Sequence, residues 1–179
     1  MKKHLLAVVI LALATSVGLA GNSFNKGNSY GHVGLGIGLA GLYGTSSLPP
    51  ITVSYERAIE QKIGIGGIFG YSSSKQDPFA NFSWKYTYII IGARGAYHFL
   101  EDNENTDAYG GATLGYNIVS VKEEYTGPGT KPFGFSASGS YGFFGAFLGG
   151  RYFFSPKVGV YAEAGYGIGY INAGICFRL

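Results

Sequence analysis

Charge is scarce in this chain. Asp, Glu, Lys and Arg make up 13% of its 179 residues, about half the usual share of a soluble domain. Cysteine is nearly absent: Cys176 is the one thiol, so no intramolecular disulfide can form, and no lipid-anchoring cysteine sits near the N-terminus. The longest apolar run, residues 5–14, falls well short of the roughly 20 residues that a membrane-spanning helix needs. No stretch shows a 3.6-residue apolar period. There is no polybasic surface of the kind that binds nucleic acid, no Walker phosphate loop and no Gly-x-Ser-x-Gly elbow. Helical membrane insertion, nucleic-acid binding and the common nucleotide and hydrolase motifs are thereby excluded.

Glycine and aromatics are abundant instead, with 31 Gly, 15 Tyr and 13 Phe. The chain opens on Met1-Lys2-Lys3, continues into the apolar run and reaches Gly18-Leu19-Ala20. This order of basic, apolar and small residues predicts a cleaved secretory signal peptide over 1–20, with one domain over 21–179. Loss of Lys2 and Lys3 takes the basic residues from 13 to 11, against 10 acidic ones.

The remainder divides into eight alternating stretches at about 30–40, 50–59, 63–73, 86–99, 108–121, 138–154, 158–167 and 169–179. Their period of two predicts an all-β fold, an eight-stranded antiparallel up-and-down transmembrane β-barrel. One face of each stretch is apolar: Val33, Leu35, Ile37 and Leu39 in the first, Ala112, Leu114, Tyr116 and Ile118 in the fifth. The other face is small or polar, with Gly34, Gly36 and Gly38 beside His32, and Gly92 beside Arg94 and His98. Glycines could not fill a dry core, and here they share a face with the charges. The apolar side chains are therefore expected to face lipid and the polar ones the lumen.

Three connections, 60–62, 101–107 and 155–157, are short or acidic, and these are expected at the periplasmic side with both termini. The segments 41–49, 74–85, 122–137 and the turn near 167–169 are expected outside. Tyr97, Phe99, Tyr152, Phe154 and Phe177 would ring one interface, and Tyr71, Tyr116, Tyr166 and Tyr170 the other.

Four segments carry a family resemblance: Pro49-Pro50-Ile51-Thr52-Val53-Ser54-Tyr55-Glu56, Ile63-Gly64-Ile65-Gly66-Gly67, Gly92-Ala93-Arg94-Gly95-Ala96-Tyr97-His98-Phe99 and Gly174-Ile175-Cys176-Phe177-Arg178-Leu179. With them the chain resembles the OmpA/OmpX-like small outer-membrane β-barrels, the outer membrane protein beta-barrel domain or porin family. The resemblance implies an outer-membrane location among lipids and lipopolysaccharide, and a last strand recognised by the barrel-assembly machinery. It also raises adhesion through the outer loops, where Lys75-Gln76-Asp77-Pro78-Phe79 and the 122–133 segment mix charge with aromatics.

The inward charges form the candidate site: Glu56 and Glu163 against Arg94 and Arg151, with Arg178 near the periplasmic end. An eight-stranded lumen is just wide enough to be filled by side chains, so these charges are expected to pair in a structural polar network. The competing reading is a narrow or gated pore. Ser54, Glu56, His32 and His98 share the inner face, which leaves a lipid-modifying enzyme as the alternative, but no nucleophile and base are linked by sequence. A soluble barrel holding a hydrophobic ligand is a further alternative. The expected function is non-enzymatic, in envelope structure or cell-surface contact, without cofactor or metal. Gly36-Ile37-Gly38-Leu39-Ala40-Gly41 has dinucleotide-binding spacing but no following helix to receive a pyrophosphate, and Cys176 is expected as an inert inward thiol.

Overall fold

The computed structural model describes residues 23–37, 45–79, 81–100, 103–125, 127, 134–167 and 169–179. The expected leader, Gly38 and Leu39, and the 128–133 part of the fifth expected connection lie outside the described residues.

Eight strands follow in chain order: β1 (Ser29–Ile37), β2 (Thr45–Ala58), β3 (Ile63–Phe79), β4 (Phe82–His98), β5 (Thr106–Tyr125), β6 (Ser136–Phe153), β7 (Val158–Tyr166) and β8 (Ile171–Arg178). Each pairs antiparallel with the next, and β1 also pairs with β8, so the sheet closes on itself as a barrel. Closure gives each strand a partner on both sides. That is what hydrocarbon demands, because it offers backbone N–H and C=O groups nothing to bond.

The register turns the alternation of each strand into rows around the ring. Val33 lies opposite both Val53 and Ile175, and Ile89 opposite both Tyr71 and Ile118. The outward rows are apolar and open: Leu35 is 55% exposed, Ile37 and Leu114 68%, and Phe144 64%. The inward rows hold Ser54, Glu56, Arg94, His98, Asp107 and Arg151, all buried. An apolar surface running all the way round a barrel far exceeds the few hundred Å² that a soluble monomer leaves exposed. Facing lipid, the same surface carries no such penalty.

The inward glycines make room for long polar side chains. A Cβ on Gly64 would collide with the Glu56 carboxylate, and one on Gly34 with the Tyr161 hydroxyl. Gly66 is held more tightly still, because its Cβ would run into the backbone carbonyl of Tyr55.

Both chain ends of the ring, Ser29 and Arg178, lie at one end, the base, together with the connections after β2, β4 and β6. At the far end β3, β4, β5 and β6, with 17, 17, 20 and 18 residues, outrun β1, β7 and β8, with 9, 9 and 8. They continue upward as a projecting sheet. Sequence placed connections at 74–85 and 122–137, yet Lys75 pairs with Lys85 and Gln76 with Trp84, and Glu124 still pairs with Ser83. The β3–β4 turn includes Asn81, whose φ of 66° is left-handed, a conformation that Asn tolerates better than most side chains. Apolar alternation ends where lipid ends, but the hydrogen-bond ladder continues.

Candidate functional site

The lumen charges stand opposite small residues and reach across the space these leave. Arg94 pairs with Gly66 and Thr113 in the two neighbouring strands, and Glu163 with Gly149 and Asn172. Near the middle of the barrel, Arg94 Nη2 donates to Glu163 Oε1 at 2.6 Å, and the Tyr109 hydroxyl donates to the same oxygen at 2.9 Å. The Arg94 guanidinium also lies 4.0 Å from the centre of the Phe147 ring, a cation–π contact that stabilises the charge without a counter-ion.

A second cluster fills the lumen closer to the base. Arg151 Nη1 donates to Glu56 Oε2 at 3.0 Å. Its Nη2 lies 2.8 Å from Asp107 Oδ2 but without the alignment of a hydrogen bond, so that contact is an ion pair only. His98 joins the same two carboxylates, with Nδ1 2.8 Å from Asp107 Oδ2 and Nε2 3.1 Å from Glu56 Oε1. Carboxylates accept, so His98 satisfies both only with a proton on each ring nitrogen. Arg94, Arg151 and that imidazolium then balance Glu56, Asp107 and Glu163. The Tyr30 ring lies 4.0 Å from the Arg151 guanidinium, and Phe24, Tyr109 and Phe153 surround it at 5.4–5.8 Å.

His32 links the clusters. Its Nε2 lies 3.3 Å from Arg151 Nη1 and its Nδ1 3.2 Å from Ser54 Oγ. An arginine can only donate, so Nε2 accepts, and a neutral His32 carries its proton on Nδ1 and donates to Ser54. In that tautomer His32 is no base for the Ser54 hydroxyl. Among the described residues no group of three or more His, Cys, Asp or Glu side chains is placed to hold a metal ion.

The segment preceding β1 closes the base. Phe24 stacks on His98 with ring centres 3.5 Å apart and 10° between planes. The Ser23 amide donates to the Asn103 carbonyl at 2.7 Å, and its hydroxyl to the Thr106 carbonyl at 2.8 Å. Gly27 N–H donates to the Ala58 carbonyl at 2.9 Å, and Arg178 Nη2 to the Ser23 carbonyl at 3.4 Å. Towards the far end, a small recess of about 30 Å³ is lined in part by Arg94, Thr113, Phe147, Glu163 and Asn172.

All four residues singled out by sequence thus point inward, and they meet as the pairs Arg94–Glu163 and Arg151–Glu56. Asp107 belongs with them, although sequence left it in an acidic connection. Its signal was parity, since it alternates with Tyr109, Gly111 and Thr113. Parity likewise marks Tyr30 beside His32 and Phe153 beside Arg151 as lumen aromatics. Phe24 precedes any alternation and had no such signal.

No protein-family model matches the chain, and no curated protein matches it. Solved structures do. Ail, the attachment invasion locus protein of Yersinia pestis, matches with a TM-score of 0.51 and 17% identity, over 86% of this chain and 96% of that one. A second Ail structure, in complex with the heparin analogue sucrose octasulfate, matches with a TM-score of 0.50. The N-terminal β-barrel domain of Pseudomonas aeruginosa OprF matches with a TM-score of 0.54 and 12% identity, over 87% of this chain and 100% of that domain. The chain therefore has the fold of the small eight-stranded barrels of the OmpA/OmpX type.

Proposed function

We propose that this chain is an integral outer-membrane protein and not an enzyme, whose lumen is a structural plug and whose role lies in envelope integrity or cell-surface contact. The observation that carries this reading is the polarity of the barrel: apolar rows outward, and buried, paired charges inward. In this reading residues 1–20 are a leader removed on export, the base faces the periplasm and the projecting sheet faces outward. The barrel-assembly machinery would recognise β8, and outer-membrane lipids with lipopolysaccharide would surround the wall.

Glu56, Arg94, Arg151 and Glu163 serve as cross-braces between opposite strands. An enzyme would need a nucleophile and base within reach of lipid. Ser54 and His32 are instead buried together with the proton on the wrong nitrogen, above a base closed by Phe24. Surface contact is supported by the length of β3–β6 beyond the other strands, and by likeness in fold to a protein named for attachment and invasion.

Lipid A from cells with and without the protein tests the non-enzymatic reading. The acyl pattern is expected to be identical, and a changed pattern would overturn it. Planar-bilayer recordings on the purified barrel test the plug, with a steady conductance as the contrary result.

A further inference from the structure

Three lysines stand in one row of the projecting sheet. Lys75 of β3 is directly opposite Lys85 of β4, and Lys85 is directly opposite Lys122 of β5. Directly opposed side chains share a face, with Cβ atoms about 5 Å apart, so three lysine side chains leave the sheet side by side. Like charges in that position destabilise a sheet, and this register repeats the arrangement twice. The available carboxylates answer it poorly: Lys75 lies 3.4 Å from Asp77 and Lys85 3.7 Å from Glu124, with the two lysine side chains 42% and 47% exposed. Among the described residues Lys122 has no ion-pair partner.

The row faces the lipid side of the barrel. From Tyr71 to Gln76 the β3–β4 ladder has no register shift, and β4–β5 has none along its length. Lys75, Lys85 and Lys122 therefore point the same way as Tyr71, Ile89 and Ile118, which form the matching row four residues nearer the base. Four residues span about 13 Å along a strand, or about 10 Å along the membrane normal at the tilt usual for such barrels. A lysine stem can lower its ammonium several Å back toward the apolar boundary. The charges therefore sit at the depth of lipid headgroups, above the half-buried hydroxyl residues Thr87 and Ser120 that face each other in the row between.

We propose that Lys75, Lys85 and Lys122 form a binding site for the phosphorylated headgroup of a lipopolysaccharide, held against the barrel wall with its acyl chains on the apolar rows below. The site rests on the outer-membrane reading above. Its depth and its lipid-facing side distinguish it from a site for a soluble polyanion, which would be reached from the tip of the sheet.

The test uses the refolded barrel in phosphatidylcholine vesicles doped with bisphosphorylated or dephosphorylated lipid A, with retained lipid counted by native mass spectrometry. The wild type should retain the bisphosphorylated form selectively. The triple variant Lys75→Gln, Lys85→Gln, Lys122→Gln should bind it about a hundredfold more weakly, at roughly 1 kcal/mol for each lysine near a charged surface. Lys122→Gln alone should weaken binding several-fold and serves if the triple variant does not fold. Equal retention of the two lipids, or of one lipid by wild type and variant, overturns the site. Lysine-dependent capture of a soluble sulfated oligosaccharide without lipid A retention overturns the lipid source. A wild-type chain that does not enter vesicles, judged by loss of the gel shift between unheated and boiled samples, refutes the outer-membrane reading itself and the site with it.

Discussion

Cutting one half of the Arg94–Glu163 brace should damage the barrel more than cutting both. The two side chains are each 6% exposed and meet at 2.6 Å, so solvent screens the pair little. Arg94→Met leaves Glu163 buried with only the Tyr109 hydroxyl to bond it, and Glu163→Leu leaves Arg94 with only Ser54 at 3.5 Å and the Phe147 face. An uncompensated buried charge costs about 3–5 kcal/mol, and each single variant should lose that much. The double variant has no orphaned charge. Its remaining defect is the Tyr109 hydroxyl without its acceptor, worth about 1–3 kcal/mol. Urea unfolding of the barrel in lipid vesicles provides the assay, followed by the emission of Trp84, the one tryptophan. Midpoints should fall steeply in each single variant and recover in the double one at unchanged slope. Single variants within about 0.5 kcal/mol of wild type, or a double variant that costs the sum of the singles, would refute the account of the lumen as paired cross-braces.

Phe24→Ala should cost about 3 kcal/mol, the low end for a buried Phe because water can enter at the base, and proton NMR of His98 should show its ring proton exchanging faster. No steady conductance should follow, because the Arg94 tier still fills the lumen; ion current through this variant would place the constriction at Phe24. Gly66→Ala should fail to reach the folded form, since a Cβ there meets the Tyr55 backbone, whereas Gly139→Ala, with open space around it, should fold as wild type. Folded yield on an unheated gel separates the two cases, and equal yields would mean that the wall tolerates a methyl at Gly66.

Sequence revealed most where lipid imposes a rule. The period of two and the sorting of apolar and polar faces located all eight strands in order, and the same parity put Glu56, Arg94, Arg151 and Glu163 inside. Above the bilayer that rule lapses. Lys75-Gln76-Asp77-Pro78 reads as a connection by composition, yet in β3 it pairs with β4 up to Gln76, because ladder bonds need no apolar face. Aromatics divided in the same way: Tyr97 and Phe154 face outward as expected, while Tyr30, Tyr109 and Phe153 fill the lumen around Arg151. Which cation meets which carboxylate depends on shear and register between strands distant in sequence, and no local pattern encodes that.

The central claim is that charges face inward and apolar rows face lipid in an outer-membrane barrel, and gel mobility of the protein from an isolated outer-membrane fraction tests it most directly. The unheated sample should run at a different position from the boiled one, because a closed barrel resists detergent until it is heated. Recovery of the chain as a soluble periplasmic protein, with no shift on boiling, would contradict it.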